Sequence, residues 1–217
     1  MAEKGSKLVV DKRVKGGVRY TNGMFRIDRV VASYPHLDKP YAGEDGGEPK
    51  FSIVGLLDKT EHAGIIDLIR EDLKRIMGEK KVKVSADKLY LKDGDKYFED
   101  KEECQGRYVL SARETTRPTL RDASGNKLDP KDDMDEIQEL FYGGAIVSLV
   151  VNPWYQDNKF GKRINANLRA VRFVEDGTPF GEGRVDDDDA WDDDDYDNSG
   201  SSGGKGGGSD FDDDDDI

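Results

Sequence analysis

Strand-like runs dominate this chain, and they are interrupted by only one long stretch at helical spacing, with no regular alternation between the two. MFRIDRVVASYP is rich in β-branched and aromatic residues and predicts a strand that stops at Pro35. HLDKPYAGEDGGEP then predicts a loop, and KFSIVGLLD a second strand. Ile65, Ile66, Ile69, Leu73, Ile76 and Met77 recur on one face of a helix that Thr60 can cap and Gly78 can stop. The Asp-Gly step in KDGDK predicts a hairpin turn between Leu89–Leu91 and Tyr97–Phe98, with GRYVLSARE as the next strand. RPTLRD predicts a short edge strand, Met134 to Phe141 a short helix, and GAIVSLVVN a strong strand. In KRINANLRAVRFVED the apolar alternation changes phase near Ala170 and Val171, which predicts a bulge in a bent last strand. The expected fold class is therefore mainly β: a small closed or partly closed barrel of five or six strands with one inserted α-helix.

The charge is distributed just as unevenly. Residues 186–217 hold fifteen Asp against one cation, Lys205, so subtracting this segment's −14 from the chain's −13 leaves residues 1–185 at +1. A like-charge run of this density repels itself and cannot bury apolar surface, so residues 186–217 are expected to be a disordered acidic tail. Its glycine and serine spacer separates two Asp blocks, the second carrying Phe211 and Ile217. Residues 1–17 mix Lys4, Lys7, Lys12, Arg13 and Lys15 with glycines and suggest a flexible basic arm. Residues 18–185 suffice for one folded domain.

Several function classes find no support. No apolar run reaches the length of a membrane helix, and MAEKGSKLVVDKR lacks a signal-peptide core, so a cytoplasmic protein without membrane contact is expected. Cys104 is the single cysteine, His36 and His62 lie far apart, and there is no phosphate loop or dinucleotide fingerprint. DASGNKLDPKDD imitates a calcium loop through Asp122, Ser124 and Asn126, but Gly125 falls at the fourth position rather than the sixth, as in an ordinary turn. No cofactor and no metal are expected. The enzymatic runner-up is a metal-dependent nuclease or recombination enzyme around Asp38, Glu48 and Lys50. A third reading is an adaptor whose tail is its whole function.

Binding signatures are stronger, because cations and rings interleave. Arg19 and Tyr20, Phe25 and Arg26, Lys50 and Phe51, Lys96 and Tyr97, and Arg107 and Tyr108 are neighbours, and WYQDNKFGKR brings together Trp154, Tyr155, Lys159, Phe160, Lys162 and Arg163. Sequence-independent binding of a single strand needs that combination, with cations along the backbone and flat rings under the bases. WYQDNKFGKR reads as a hairpin tip, whose rings Trp154, Tyr155 and Phe160 are expected to stack bases while Lys159, Lys162 and Arg163 meet phosphates. For Phe25, Phe51, Tyr108 and Phe173 core packing is an equal alternative.

VVASYPHLDKPYAGEDGGEPKFSIVGLLDK and NANLRAVRFVEDGTPFGEGRVD, followed by the acidic tail, resemble the single-stranded DNA-binding proteins of tailed bacteriophages. The resemblance implies an OB-fold core over residues 18–185 and a non-enzymatic protein that binds and protects single-stranded DNA in phage replication or recombination, in the host cytoplasm. The tip, Asp210, Phe211, Asp212, Asp213, Asp214, Asp215, Asp216 and Ile217, is similar to the acidic tips of bacterial single-strand binding proteins. Those finish in Pro-Phe, whereas this one ends Asp216-Ile217. By that resemblance the tail competes with DNA and recruits replication or recombination proteins. Self-association and a choice between RNA and DNA are left open by the residues.

Overall fold

A single sheet takes in ten strands in the computed structural model, which describes residues 7–43, 46–159 and 161–180. In chain order these are β1 (Val10–Val14), β2 (Gly17–Tyr20), β3 (Phe25–Tyr41), β4 (Lys50–Asp58), β5 (Leu91–Asp93), β6 (Arg107–Glu114), β7 (Thr119–Arg121), β8 (Lys127–Leu128), β9 (Ile146–Asn158) and β10 (Gly161–Glu175). Helix α1 (Ala63–Lys80) follows β4, the one-turn α2 (Gly94–Tyr97) follows β5, and α3 (Met134–Leu140) precedes β9.

The five long strands pair in the order β6-β4-β3-β9-β10, and β10 curls back to pack against β6. A parallel bridge from Leu89 to Ile164 fastens the same seam. This is the partly open five-stranded barrel of the OB type. Strand alternation decides what faces inward. Ile53 and Leu57 on β4, Leu110 and Ala112 on β6, Leu149 and Val151 on β9, and Ile164 and Leu168 on β10 are all buried in the barrel. Each buried Ile or Leu side chain contributes about 1.5–3 kcal/mol. Helix α1 lays Ile65, Ile66, Ile69, Leu73 and Ile76 on this core. By the same alternation Ser52, Val54, Ser111 and Arg113 face outward, with Ser52 opposite Arg113 and Val54 opposite Ser111.

Several local expectations need correction. β3 does not stop at Pro35 but runs on to Tyr41, because the missing N–H falls in a register shift between Ser33 and His36 where no ladder bond is required. The KDGDK step is not a hairpin turn: the Asp93 carboxylate accepts a hydrogen bond from Asp95 N at 3.1 Å and opens α2. Gly78 does not end α1. Left-handed Lys81 does, with its N–H bonded to the carbonyl of Gly78. Part of the expected flexible arm, Val10–Val14, pairs with β2, while residues 1–6 and the whole acidic tail lie outside the described residues. RPTLRD contributes a strand, but β7 sits between β10 and β8 rather than at an edge. The predicted phase change is present as a register shift between Leu168 and Ala170.

Candidate nucleic-acid interface

The outward face of β4 and β6 forms the floor of a groove. Its walls are the β3–β4 loop on one side and the segment before β5 together with the β9–β10 hairpin on the other. Its first cavity, of about 610 Å³, is lined by Tyr41, Glu48, Lys50, Ser52, Val54, Asp87, Lys88, Lys92, Ser111, Arg113, Arg163 and Asn165, among others. It continues through Lys50, Arg113 and Asn165 into a second cavity of about 230 Å³ that ends at Trp154 and Gln156. Among the described residues along these walls, five cations, Lys50, Lys88, Lys92, Arg113 and Arg163, outnumber the three carboxylates of Glu48, Asp87 and Glu114. Burial lowers the pKa of Lys92; Asp87 offsets this in part, while the positive charges of Arg163 and Lys88 lower it further. An ammonium held among like charges is a site that gains from a phosphate.

Among the described residues, two exposed rings border the groove. Trp154 is 40 % exposed and lies opposite Asn165, on the face that also carries Gln156 and Arg163. Tyr41 is 49 % exposed and stacks on His36 with centroids 4.5 Å apart and planes 18° from parallel. A preformed stack of this kind holds the phenol ring in one orientation, with little left to lose on binding a base.

Alternation also separates residues that are neighbours in sequence. Tyr155 and Lys162 fall on the opposite face from Trp154 and Arg163. Tyr155 is half-buried against the core, opposite Ile164, and its hydroxyl donates to Asp157 at 3.1 Å. Lys159 is exposed in the turn, and Phe160 lies outside the described residues. The structure thus brings together Lys50, Trp154 and Arg163 from the residues singled out by sequence. It does not bring the others to them. Arg19 pairs with Asp11 at 2.6 Å and Glu71 at 3.1 Å, and with Tyr20 lines a separate cavity beside α1. Arg26 chelates Asp28 at 2.8 and 2.9 Å. Lys96 sits 5.3 Å from the Tyr97 ring on α2, and Arg107 donates to the Glu103 carbonyl from a third cavity near the start of α1. Phe25, Phe51 and Phe173 are buried, so for these three the core alternative holds. Tyr108 packs against the core with Arg70 4.7 Å and Lys59 5.2 Å from its ring centroid.

Lys88, Lys92, Arg113 and Tyr41 line the groove but were not singled out by sequence. Arg113 and Lys92 have no aromatic neighbour in sequence to signal them. The legible signal was alternation: once Leu110 and Ala112 point inward, Ser111 and Arg113 must point outward. The nuclease constellation does not assemble. Glu48 pairs with Lys50 at 3.4 Å in the groove, whereas the Asp38 carboxylate accepts from Gln138 at 3.1 Å and lines a different cavity with Ile137 and Phe141.

Known proteins share this fold. Residues 25–200 match the family model of the Enterobacter phage Enc34 ssDNA-binding protein. The solved structure of the single-stranded DNA-binding protein from bacteriophage Enc34 in complex with ssDNA is 48 % identical, with a TM-score of 0.75 over 83 % of this chain and 100 % of that one. Its C-terminally truncated form is also 48 % identical, with a TM-score of 0.76 over 81 % of this chain and 98 % of that one. Protein p50 of Acyrthosiphon pisum secondary endosymbiont phage 1 is 28 % identical over 171 residues, which are 74 % of this chain and 88 % of p50. The chain belongs to the phage Enc34 single-stranded DNA-binding protein family.

Proposed function

We infer that the protein binds single-stranded DNA without sequence choice, in the groove across β4 and β6, during phage replication or recombination in the host cytoplasm. The observation that carries this reading is the union, on one outward barrel face, of Lys50, Lys92, Arg113 and Arg163 with Trp154 and Tyr41. In OB barrels the face of the second and third strands, flanked by the loops after the first and fourth, takes oligonucleotides. β4 and β6 occupy those strand positions here, and the β3–β4 and β9–β10 connections those loop positions. Cations neutralise phosphates and release counterions, and exposed rings stack bases of any identity. The protein acts by binding alone, with no catalytic step.

The acidic segment, residues 186–217, completes the proposal as a tethered competitor. A flexible chain of that length has a root-mean-square span of about 30 Å, against a gyration radius of about 16 Å for a 185-residue domain. Its carboxylates occupy the cationic groove when DNA is absent. Displaced by DNA, the tip from Asp210 to Ile217 is presented to replication or recombination proteins. The organisation is then a basic N-terminal segment, an OB-type body and a regulatory tail.

Incubating the protein with labelled single strands, with and without Mg²⁺, tests the reading. A retarded, intact strand under both conditions is the expected outcome. A cut strand points to an enzyme, and no shift at all leaves only an adaptor.

A further inference from the structure

The most exposed tyrosine ring among the described residues lies outside the groove's lining, and its backbone is held in an unfavourable conformation. Tyr34 is 59 % exposed and has φ of 44°, in the left-handed region that disfavours every residue but glycine. The next residue is Pro35, whose ring further restricts the residue before it towards extended conformations. Both penalties fall at the register shift between Ser33 and His36, an irregularity within the β3–β4 pairing that leaves the tyrosine exposed. A strained residue persists only where its surroundings enforce it, and such residues concentrate at ligand sites.

Tyr34 is also equipped as a ligand site. Lys101 Nζ lies 4.8 Å from its ring centroid and 3.3 Å from its hydroxyl. Lys101 is tied by its backbone N–H to the carbonyl of Phe98 at 3.0 Å. Phe98 and Val54 pack against the same cluster of Leu56, Cys104 and Val109, the Phe98 ring lies 6.0 Å from the ammonium of Lys92, and Val54 and Lys92 both line the groove. The ring of Tyr34 therefore stands at the margin of the cationic track, at the end where Lys92 sits. Trp154 marks the other end, beyond Arg113.

We propose that Tyr34 and Lys101 form a second stacking station, where a nucleobase of the same strand lies on the Tyr34 ring and its phosphate meets the Lys101 ammonium. This rests on the groove reading above and extends it: the strand's path is longer than the cavity and has an aromatic ring near each end. A short oligonucleotide fills the Trp154 end alone. A longer one reaches Tyr34 as well.

The test measures affinities of the full-length protein for fluorescein-labelled oligo(dT) of about 6 and about 15 nucleotides, a range that brackets OB-fold sites. Wild type gains affinity with length. Tyr34→Ala loses that gain, binding the longer strand about 5- to 150-fold more weakly while leaving the shorter one unchanged. Tyr34→Phe keeps the ring and binds the longer strand within about twofold of wild type. Tyr34→Gly relieves the backbone, so its Tm rises while its affinity for the longer strand falls as in Tyr34→Ala. If Tyr34→Ala and Tyr34→Gly bind the longer strand like wild type while Trp154→Ala weakens it, the station is refuted and the groove stands. If Tyr34→Gly loses affinity and Tm together, the ring is structural and the station is likewise refuted. Failure of wild type to bind either strand overturns the groove reading itself.

Discussion

Trp154 and Tyr155 are adjacent in sequence and lie on opposite faces of β9. Trp154 is exposed beside Arg163 and Asn165, whereas Tyr155 packs on the core opposite Ile164. Trp154→Ala is therefore expected to weaken binding to oligo(dT) by about 1–3 kcal/mol with Tm unchanged. Tyr155→Ala is expected to lower Tm and leave affinity largely intact. Titration by fluorescence anisotropy alongside thermal melts separates the two, and avoids the indole signal of Trp191 in the tail. At this scale the sequence was only partly legible. Cation and ring adjacency singled out Trp154, Lys50 and Arg163, which line one groove, but it also picked Arg19 and Arg26, which are paired with neighbouring carboxylates. Adjacency along a strand places consecutive residues on opposite faces, so it is a poor guide to which side chains meet. The acids that hold Arg19 come from β1 and α1, and nothing local announces Glu71, fifty-two positions away.

Elements were more legible, because apolar periodicity reports the barrel interior directly. KFSIVGLLD is β4 from end to end, and the phase change in the last strand is the bulge of β10. Turn chemistry was read less well. The Asp-Gly step served a helix cap rather than a hairpin, and a Cβ on Gly94 would lie 2.0 Å from the Cys104 carbonyl oxygen, so that glycine answers a close approach. Nor does Thr60 cap α1: the N-cap position is His62, with no side-chain cap bond, and Asp58 ties the turn that precedes it. The Asp58 carboxylate accepts from Thr60 N and Glu61 N, each at 2.8 Å, and those bonds, Glu61's first, hold its pKa below the usual carboxylate value. A lowered folded pKa means stability that is present above the unfolded value of about 3.9 and lost as pH falls through the folded one. Asp58→Ala is expected to cost about 0.5–1.5 kcal/mol at neutral pH. The difference from wild type should close on acidification, as measured by thermal melts between about pH 6 and pH 2.

For the molecule as a whole, the charge division between body and tail matters more than the net −13. A body near +1 still presents a positive groove, because local potential rather than total charge attracts a polyanion. In the proposed competition, fifteen tethered carboxylates act at a millimolar effective concentration, screened over about 8 Å at physiological salt. Deleting residues 186–217 is therefore expected to tighten binding most at low ionic strength. The affinity ratio of full-length to truncated protein across a salt series measures this, and a ratio of one throughout would remove the tail's competitive role. The most direct test of the groove is the salt dependence of oligo(dT) affinity in two variants of the full-length chain. One is Lys50→Ala/Arg113→Ala/Arg163→Ala, and the other is Arg19→Ala/Lys96→Ala. With a slope of about −0.7 per neutralised phosphate on single strands, the groove variant should lose about two units of log-log slope while the other keeps the wild-type slope. A wild-type slope in the groove variant, with a flattened one in the Arg19 and Lys96 variant, would contradict the assignment and move the DNA to another face.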